Sequence, residues 1–192
     1  GAEEKRQQYE LGKELLTKAG YYEIGMDHFA LKSDSLYKAF EAGTMHRNFM
    51  GYTDSKTQLM IGLGASSISD SWYSFAQNVK SIEEYQHLVD HSIIPIYRGH
   101  LLSKEDLVIR RHILNLMCRM ETSWEDESLQ FKEVELVLQH LHEMELDGLV
   151  DTNSNKLSVT EAGRPFVRNV CMAFDLLMHR KAPEKRVFSM TI

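Results

Sequence analysis

Asp27-His28-Phe29 follows directly on the apolar run at residues 21–26 (YYEIGM), which reads as a short strand. In open α/β sheets and barrels, functional side chains gather at the carboxyl ends of strands. An acid and an imidazole placed there can bind a substrate or relay a proton. The plainer alternative is a His–Asp pair that closes the strand. Farther on, His46-Arg47-Asn48 with Tyr52 groups several polar side chains on one extended segment. The Arg47 fork suits a carboxylate, which it can hold through two parallel hydrogen bonds; a solvated surface arginine is the competing reading. Gly62-Leu63-Gly64-Ala65-Ser66-Ser67 is built of residues small enough for a backbone to pass close to a ligand. It lacks the G-x-x-x-x-G-K-[ST] spacing and the third glycine of G-x-G-x-x-G, so a tight turn competes with a phosphate loop.

Other groups could do chemistry too. His87 and His91 stand four apart, the spacing that puts two metal-ligating histidines on one helix face. Between them lie Leu88-Val89-Asp90, without the glutamate of a zinc protease, and a solvated face explains the pair as well. His140 and His142, two apart in an acidic helix, point in different directions. Residues 121–151 hold ten acids against one base, Lys132, whereas residues 164–192 hold six bases (Arg164, Arg168, Arg180, Lys181, Lys185, Arg186) against Asp175 and Glu184. The basic tail is a nucleic-acid helix, an anion site, or the intramolecular counterpart of the acidic stretch.

The pattern of apolar residues supplies the elements that must position these groups. Residues 3–19 read as a helix stopped by Gly20, and 21–26 as a strand. Ser33 can cap a helix over 34–42 that Gly43 closes. Residues 46–53 read as extended and 57–63 as a further extended run, followed by a turn at 62–71. Then come a helix at 81–91, an extended run at 93–97 broken by Pro95, and a helix from the capping box Ser103-Lys104-Glu105-Asp106 to about Met120. A helix near 134–145, a hairpin over 149–159 and a helix from Thr160 to about Arg180 complete the chain. Helix, helix, hairpin, helix is the winged-helix order. The expected class is α/β followed by mainly α.

Composition narrows the function classes. The 192 residues suit one large domain or two small ones, and 43% hydrophobic with 26% charged residues is ordinary globular chemistry. A net charge of -6 disfavours a protein that coats nucleic acid. Two cysteines, Cys118 and Cys171, make no disulfide framework, which points to a cytoplasmic chain. No signal pattern and no apolar run of ~18–20 residues is present, so no membrane partner is expected. The opening Gly1-Ala2, without methionine, suggests a trimmed chain or a piece of a longer one.

A succession of motifs resembles one family. Ile24-Gly25-Met26-Asp27-His28-Phe29-Ala30, then His46-Arg47-Asn48-Phe49-Met50-Gly51-Tyr52-Thr53, then Gly62-Leu63-Gly64-Ala65-Ser66-Ser67-Ile68-Ser69 look like the C-terminal part of the oxygen-independent coproporphyrinogen III oxidases. Tyr73, Ala76-Gln77-Asn78, Arg98-Gly99, Arg110-Arg111, Asp147-Gly148-Leu149-Val150 and Arg168-Asn169-Val170-Cys171-Met172 continue it. The resemblance implies the closing strands of a partial βα (radical SAM) barrel at 1–80 and a helical, winged-helix-like domain at 81–192. It implies a [4Fe-4S] cluster, S-adenosylmethionine, and oxidative decarboxylation of two propionates of coproporphyrinogen III to vinyl groups, giving protoporphyrinogen IX by way of a 5′-deoxyadenosyl radical.

The family's C-x-x-x-C-x-x-C cluster motif is absent here, so no metal ligand and no catalytic residue is assigned in this chain. The chain reads as a fragment that is inactive alone, with the N-terminal half of the enzyme as its partner. Ile68 matches a position that contacts a second S-adenosylmethionine. Asp27, His28, Arg47 and Asn48 are substrate-pocket candidates, Arg47 for a propionate. An orphaned barrel edge predicts a non-native dimer of the isolated chain. The competing function is a non-enzymatic winged-helix module that binds nucleic acid or protein.

Overall fold

A computed structural model describes residues 2–26 and 28–181. The chain opens with α1 (Ala2–Lys18), then β1 (Tyr21–Gly25) and β2 (His28–Leu31). The strands pair antiparallel, Tyr21 opposite Leu31, with a bulge between Glu23 and Gly25. Tyr9 on α1 donates to Glu23 at 2.5 Å and Lys13 pairs with the same carboxylate at 2.7 Å, which docks α1 on β1. The next helix, α2 (Ser35–Glu41), is capped by Asp34, whose carboxylate accepts the Leu36 N–H at 2.8 Å. The cap is therefore Asp34 rather than Ser33; both residue types cap well, and the helix starts one position later than expected. The extended run 46–53 folds back as a hairpin of β3 (His46–Asn48) and β4 (Gly51–Thr53).

Residues 57–63 form no strand. They contribute one bridge, Met60 to Asp70, ahead of β5 (Ile68–Asp70) and β6 (Ser74–Asn78). Ser81 caps α3 (Ile82–Asp90), and β7 (Ile96–Leu101) completes the antiparallel sheet β5-β6-β7. All six residues of β7 are exposed. Ser103 and Asp106 form the expected reciprocal cap of α4 (Lys104–Arg119), with bonds of 2.8 and 3.1 Å.

Beyond it lie β8 (Glu121–Ser123), a 3-10 turn at Glu127–Leu129, α5 (Val134–Leu146), and the hairpin of β9 (Val150–Asn153) and β10 (Lys156–Val159). β8 adds a third strand, in the order β8-β10-β9. The single last helix expected from Thr160 is instead a 3-10 turn at Arg164–Phe166, α6 (Val167–Ala173) and α7 (Leu176–Lys181). Pro165 cannot donate to a first α turn, and Asp175 starts α7 by accepting the Met178 N–H at 2.9 Å. Arg180 pairs with Glu133, so one base of the tail meets the acidic stretch. Lys185 and Arg186 lie outside the described residues.

Every ladder among the described residues is antiparallel. The chain divides into two compact units, Gly1–Asp54 with Val108–Ile192, and Ser55–Leu107. The division crosses the chain twice, where the sequence suggests one boundary at 80/81. No described helix is long and apolar enough to cross a membrane.

The core of the first unit gathers Ile24, Leu116, Val137, Leu141, Val150, Leu157, Val167, Val170 and Phe174, each no more than 1% exposed. His112, 0% exposed, sits among them. Its Nε2 lies 2.8 Å from the Leu129 carbonyl and its Nδ1 2.8 Å from the Thr122 hydroxyl. A carbonyl only accepts, so the ring carries its proton on Nε2 and accepts from Thr122 through Nδ1. The ring also stacks on Phe174 at 5.5 Å.

Two predictions follow from this packing. A methyl group at Gly163 would stand 1.9 Å from the Leu149 carbonyl, so Gly163→Ala costs about 3 kcal/mol or more of stability in denaturant unfolding. Burial pushes the His112 pKa below its ordinary value of 6.5, partly offset by the bond to Leu129. The folded state thus binds fewer protons than the unfolded chain as the pH falls through that value. Its contribution is complete above about 6.5 and is lost progressively below. Nitrogen-15 NMR should find His112 as the neutral Nε2–H tautomer at neutral pH and titrating below an ordinary histidine, and the melting temperature should fall as the pH drops below about 6.5.

Candidate functional site

The hairpin β3–β4 builds the first candidate site. Arg47 stands opposite Tyr52 in its register, and Asn48 opposite Gly51. The turn is tight because the Asn48 side-chain carbonyl accepts the Met50 N–H at 2.8 Å. Gly51 has φ +126°, and a Cβ there would lie 3.0 Å from His28 Nε2. Glycine thus lets the His28 ring rest against the hairpin. That ring meets Tyr52 edge-on, centroids 5.0 Å apart at 84°. The Arg47 guanidinium carbon lies 4.5 Å from the Tyr52 centroid, within cation–π range. Three of the sequence candidates thus fare differently: His28 and Arg47 converge on Tyr52, while Asn48 spends its carbonyl oxygen on the turn. Asp27 lies outside the described residues.

Tyr52 is held from several sides. Its hydroxyl donates to the Met117 carbonyl on α4 at 3.0 Å. On β1, Gly25 leaves room for it, since a Cβ there would sit 2.7 Å from the hydroxyl oxygen. Burial pushes the phenol pKa up to about 12 against the opposing charge of Arg47, so Tyr52 is neutral across the physiological range. Arg47 is half-buried, and its Nη1 is buried without a hydrogen bond. A buried N–H left without an acceptor is costly, and a bound anion would relieve that cost.

Cys118 on α4 and Cys171 on α6 both feel the Arg47 charge, which lowers their pKa values. Burial dominates and lifts Cys118 to about 11 and Cys171 to about 12. The cysteines are free. An iron–sulfur cluster needs several thiolates converging on it; two thiols held neutral do not fit that group. Among the described residues, no set of three or more His, Cys, Asp or Glu could hold a metal ion. In the native chain at pH 8, Cys118 should react with a thiol reagent on the order of a hundredfold more slowly than an unperturbed cysteine, and Cys171 more slowly still. Both should react at ordinary rates after unfolding.

The second candidate is the segment 62–68 of the other unit. Its amides are used internally. Gly62 N–H donates to Ser69 Oγ at 3.0 Å, Gly64 N–H to the Tyr85 hydroxyl at 3.0 Å and Ser66 N–H to the Val79 carbonyl at 2.8 Å. The Asn78 amide clamps the Gly62 and Gly64 carbonyls at 3.2 and 3.0 Å. Gly64 has φ +99°. The segment is a braced turn rather than a phosphate cradle, whose N–H groups would face the ligand. Ile68 begins β5 opposite Gln77, half-buried. The clamp residues Asn78 and Tyr85 were not legible as partners of this turn; only the Asn78 motif carried a signal. Gly25 likewise gave no sign of its contact with Tyr52.

No protein-family model matches the chain. The chain is 37% identical over 175 residues to the oxygen-independent coproporphyrinogen III oxidase of Escherichia coli (strain K12), covering 88% of this chain and 38% of that protein. It is 38% identical over 167 residues to the enzyme of that name from Pseudomonas aeruginosa, covering 84% of this chain and 36% of that one. For the Synechocystis sp. counterpart the figures are 35% over 190 residues, 92% and 40%. Among solved structures, the coproporphyrinogen III oxidase HemN of Escherichia coli, a radical SAM enzyme, superposes with a TM-score of 0.78 at 33% identity, covering 88% of this chain and 40% of that one. By sequence and by its mixed α/β fold, the chain is similar to one part of the oxygen-independent coproporphyrinogen III oxidases, and it spans about two fifths of the length of the relatives it matches.

Proposed function

We propose that the chain is the C-terminal portion of an oxygen-independent coproporphyrinogen III oxidase, in which Arg47 seats a propionate of coproporphyrinogen III. The supporting observation is the half-buried Arg47 guanidinium, stacked on Tyr52 with Nη1 lacking an acceptor. A planar fork fixed on an aromatic ring is suited to a carboxylate, and the substrate carries four. His28, against the same ring, lines the pocket beside it. Asn48 retains its amide N–H groups for substrate. Asp27 is a pocket residue on its position after β1. Ile68 forms a wall for S-adenosylmethionine, supported by the rigid turn that precedes it.

In this reading, residues 1–80 close the radical SAM barrel and 81–192 form a winged-helix-like domain, for which the order α4, β8, α5, β9, β10, α6 speaks. The reaction is the oxidative decarboxylation of two propionates to vinyl groups. The [4Fe-4S] cluster it requires finds no fitting ligands among this chain's described residues. The chain therefore depends on the N-terminal half of the enzyme and is inactive without it.

Coproporphyrin III, the stable oxidised form of the substrate, is the probe. The chain should quench or shift porphyrin fluorescence saturably. Arg47→Ala should weaken binding roughly tenfold to a hundredfold, the worth of a charge-assisted hydrogen bond. Absence of saturable binding, or an unchanged affinity in the variant, would count against the assignment. Salt-dependent binding of duplex DNA without porphyrin binding would favour a nucleic-acid-binding winged helix instead.

A further inference from the structure

The last turn of α3 carries a feature that the porphyrin reading does not use. His87 and His91 sit four residues apart at its carboxyl end, both exposed. Their rings are in contact, centroids 4.3 Å apart and inclined at 44°. His91 Nδ1 lies 2.7 Å from the His87 carbonyl. That oxygen can only accept, so Nδ1 carries the proton and Nε2 keeps its lone pair. A backbone carbonyl that fixes the tautomer of an imidazole in this way is the usual support behind a metal-ligating histidine. The ring nitrogens of His87 make no hydrogen bond to any described residue and are open to a ligand.

The electrostatics of the turn point the same way. A helix carboxyl end concentrates negative potential and favours a cation. α3 carries Glu83, Glu84 and Asp90 and neither lysine nor arginine, so no fixed positive charge on the helix competes for the position.

We propose that His87 and His91 form a two-imidazole site for a borderline divalent transition-metal ion, with water in the remaining coordination positions. Imidazole ligands select ions of the nickel, copper and zinc group, with affinity rising toward copper. No third side chain of ligating type completes a closed cage among the described residues, so the site is open and exchangeable. It is independent of the porphyrin assignment and stands or falls separately.

Calorimetric titration of the chain with Ni(II) tests it. The wild-type chain should take up one equivalent at micromolar to millimolar concentrations. His87→Gln and His91→Gln should each weaken binding about tenfold or more, since each removes one of two linked ligands. Both side chains are exposed, so both variants should melt like the wild type in metal-free buffer. His140→Gln, which disrupts the other histidine pair, His140 with His179 at 3.9 Å between rings, should leave the affinity unchanged. Undiminished binding in the His87 and His91 variants, loss of binding in the His140 variant, or no uptake by the wild type at millimolar Ni(II) would overturn the proposal.

Discussion

The hydrogen bond from the Tyr52 phenol to the Met117 carbonyl spans 65 positions of sequence. The first compact unit is made of two chain segments, parted by all of the second unit. The entropy of closing so long an excursion grows only slowly with its length, but the two segments must still find a defined register. Tyr52 supplies it, aided by Arg119, whose guanidinium donates to the Gly43 carbonyl at 3.1 Å. The same ring also carries Arg47 and His28. The residue that joins the halves of the unit is therefore the floor of the candidate site, and fold and site cannot be perturbed separately there.

Around that ring the charges are unbalanced. Arg47 is positive, whereas the Tyr52 phenol and the thiols of Cys118 and Cys171 are held neutral by burial. No carboxylate among the described residues pairs with Arg47. Arg180 shows the contrast, since it has Glu133 as a fixed counterion. An arginine whose described neighbours are neutral is placed to take its counterion from a bound anion.

Much of the fold was readable in local chemistry. The capping box at Ser103 and Asp106 and the hairpin β9–β10 stand where the residue types place them. What escaped depends on contacts far apart in sequence. β8 is only three residues long and earns its place by pairing with β10. The run 57–63 looks like a strand yet finds one bridge instead of a ladder. The last helix breaks where Phe174 turns into the core. At the site, Arg47 and His28 were legible as candidates from their types and their motif. Their common partner surface was not, because it needs Gly25 and Gly51 to stay bare, and neither glycine announces what it faces.

Those bare positions narrow what inheritance can change. At Gly25 and Gly163 the first carbon of any side chain would collide with an aromatic ring or a backbone carbonyl, and at Gly51 it would press on the His28 ring from a backbone conformation that other residues rarely adopt. Residues 25 and 51 frame Tyr52 and His28. A drifting lineage could exchange a pocket side chain for another of similar chemistry and remain viable, while these framing sites admit a single letter. The vocabulary of the chain is thus tightest one step behind the surface where selection for a ligand would act.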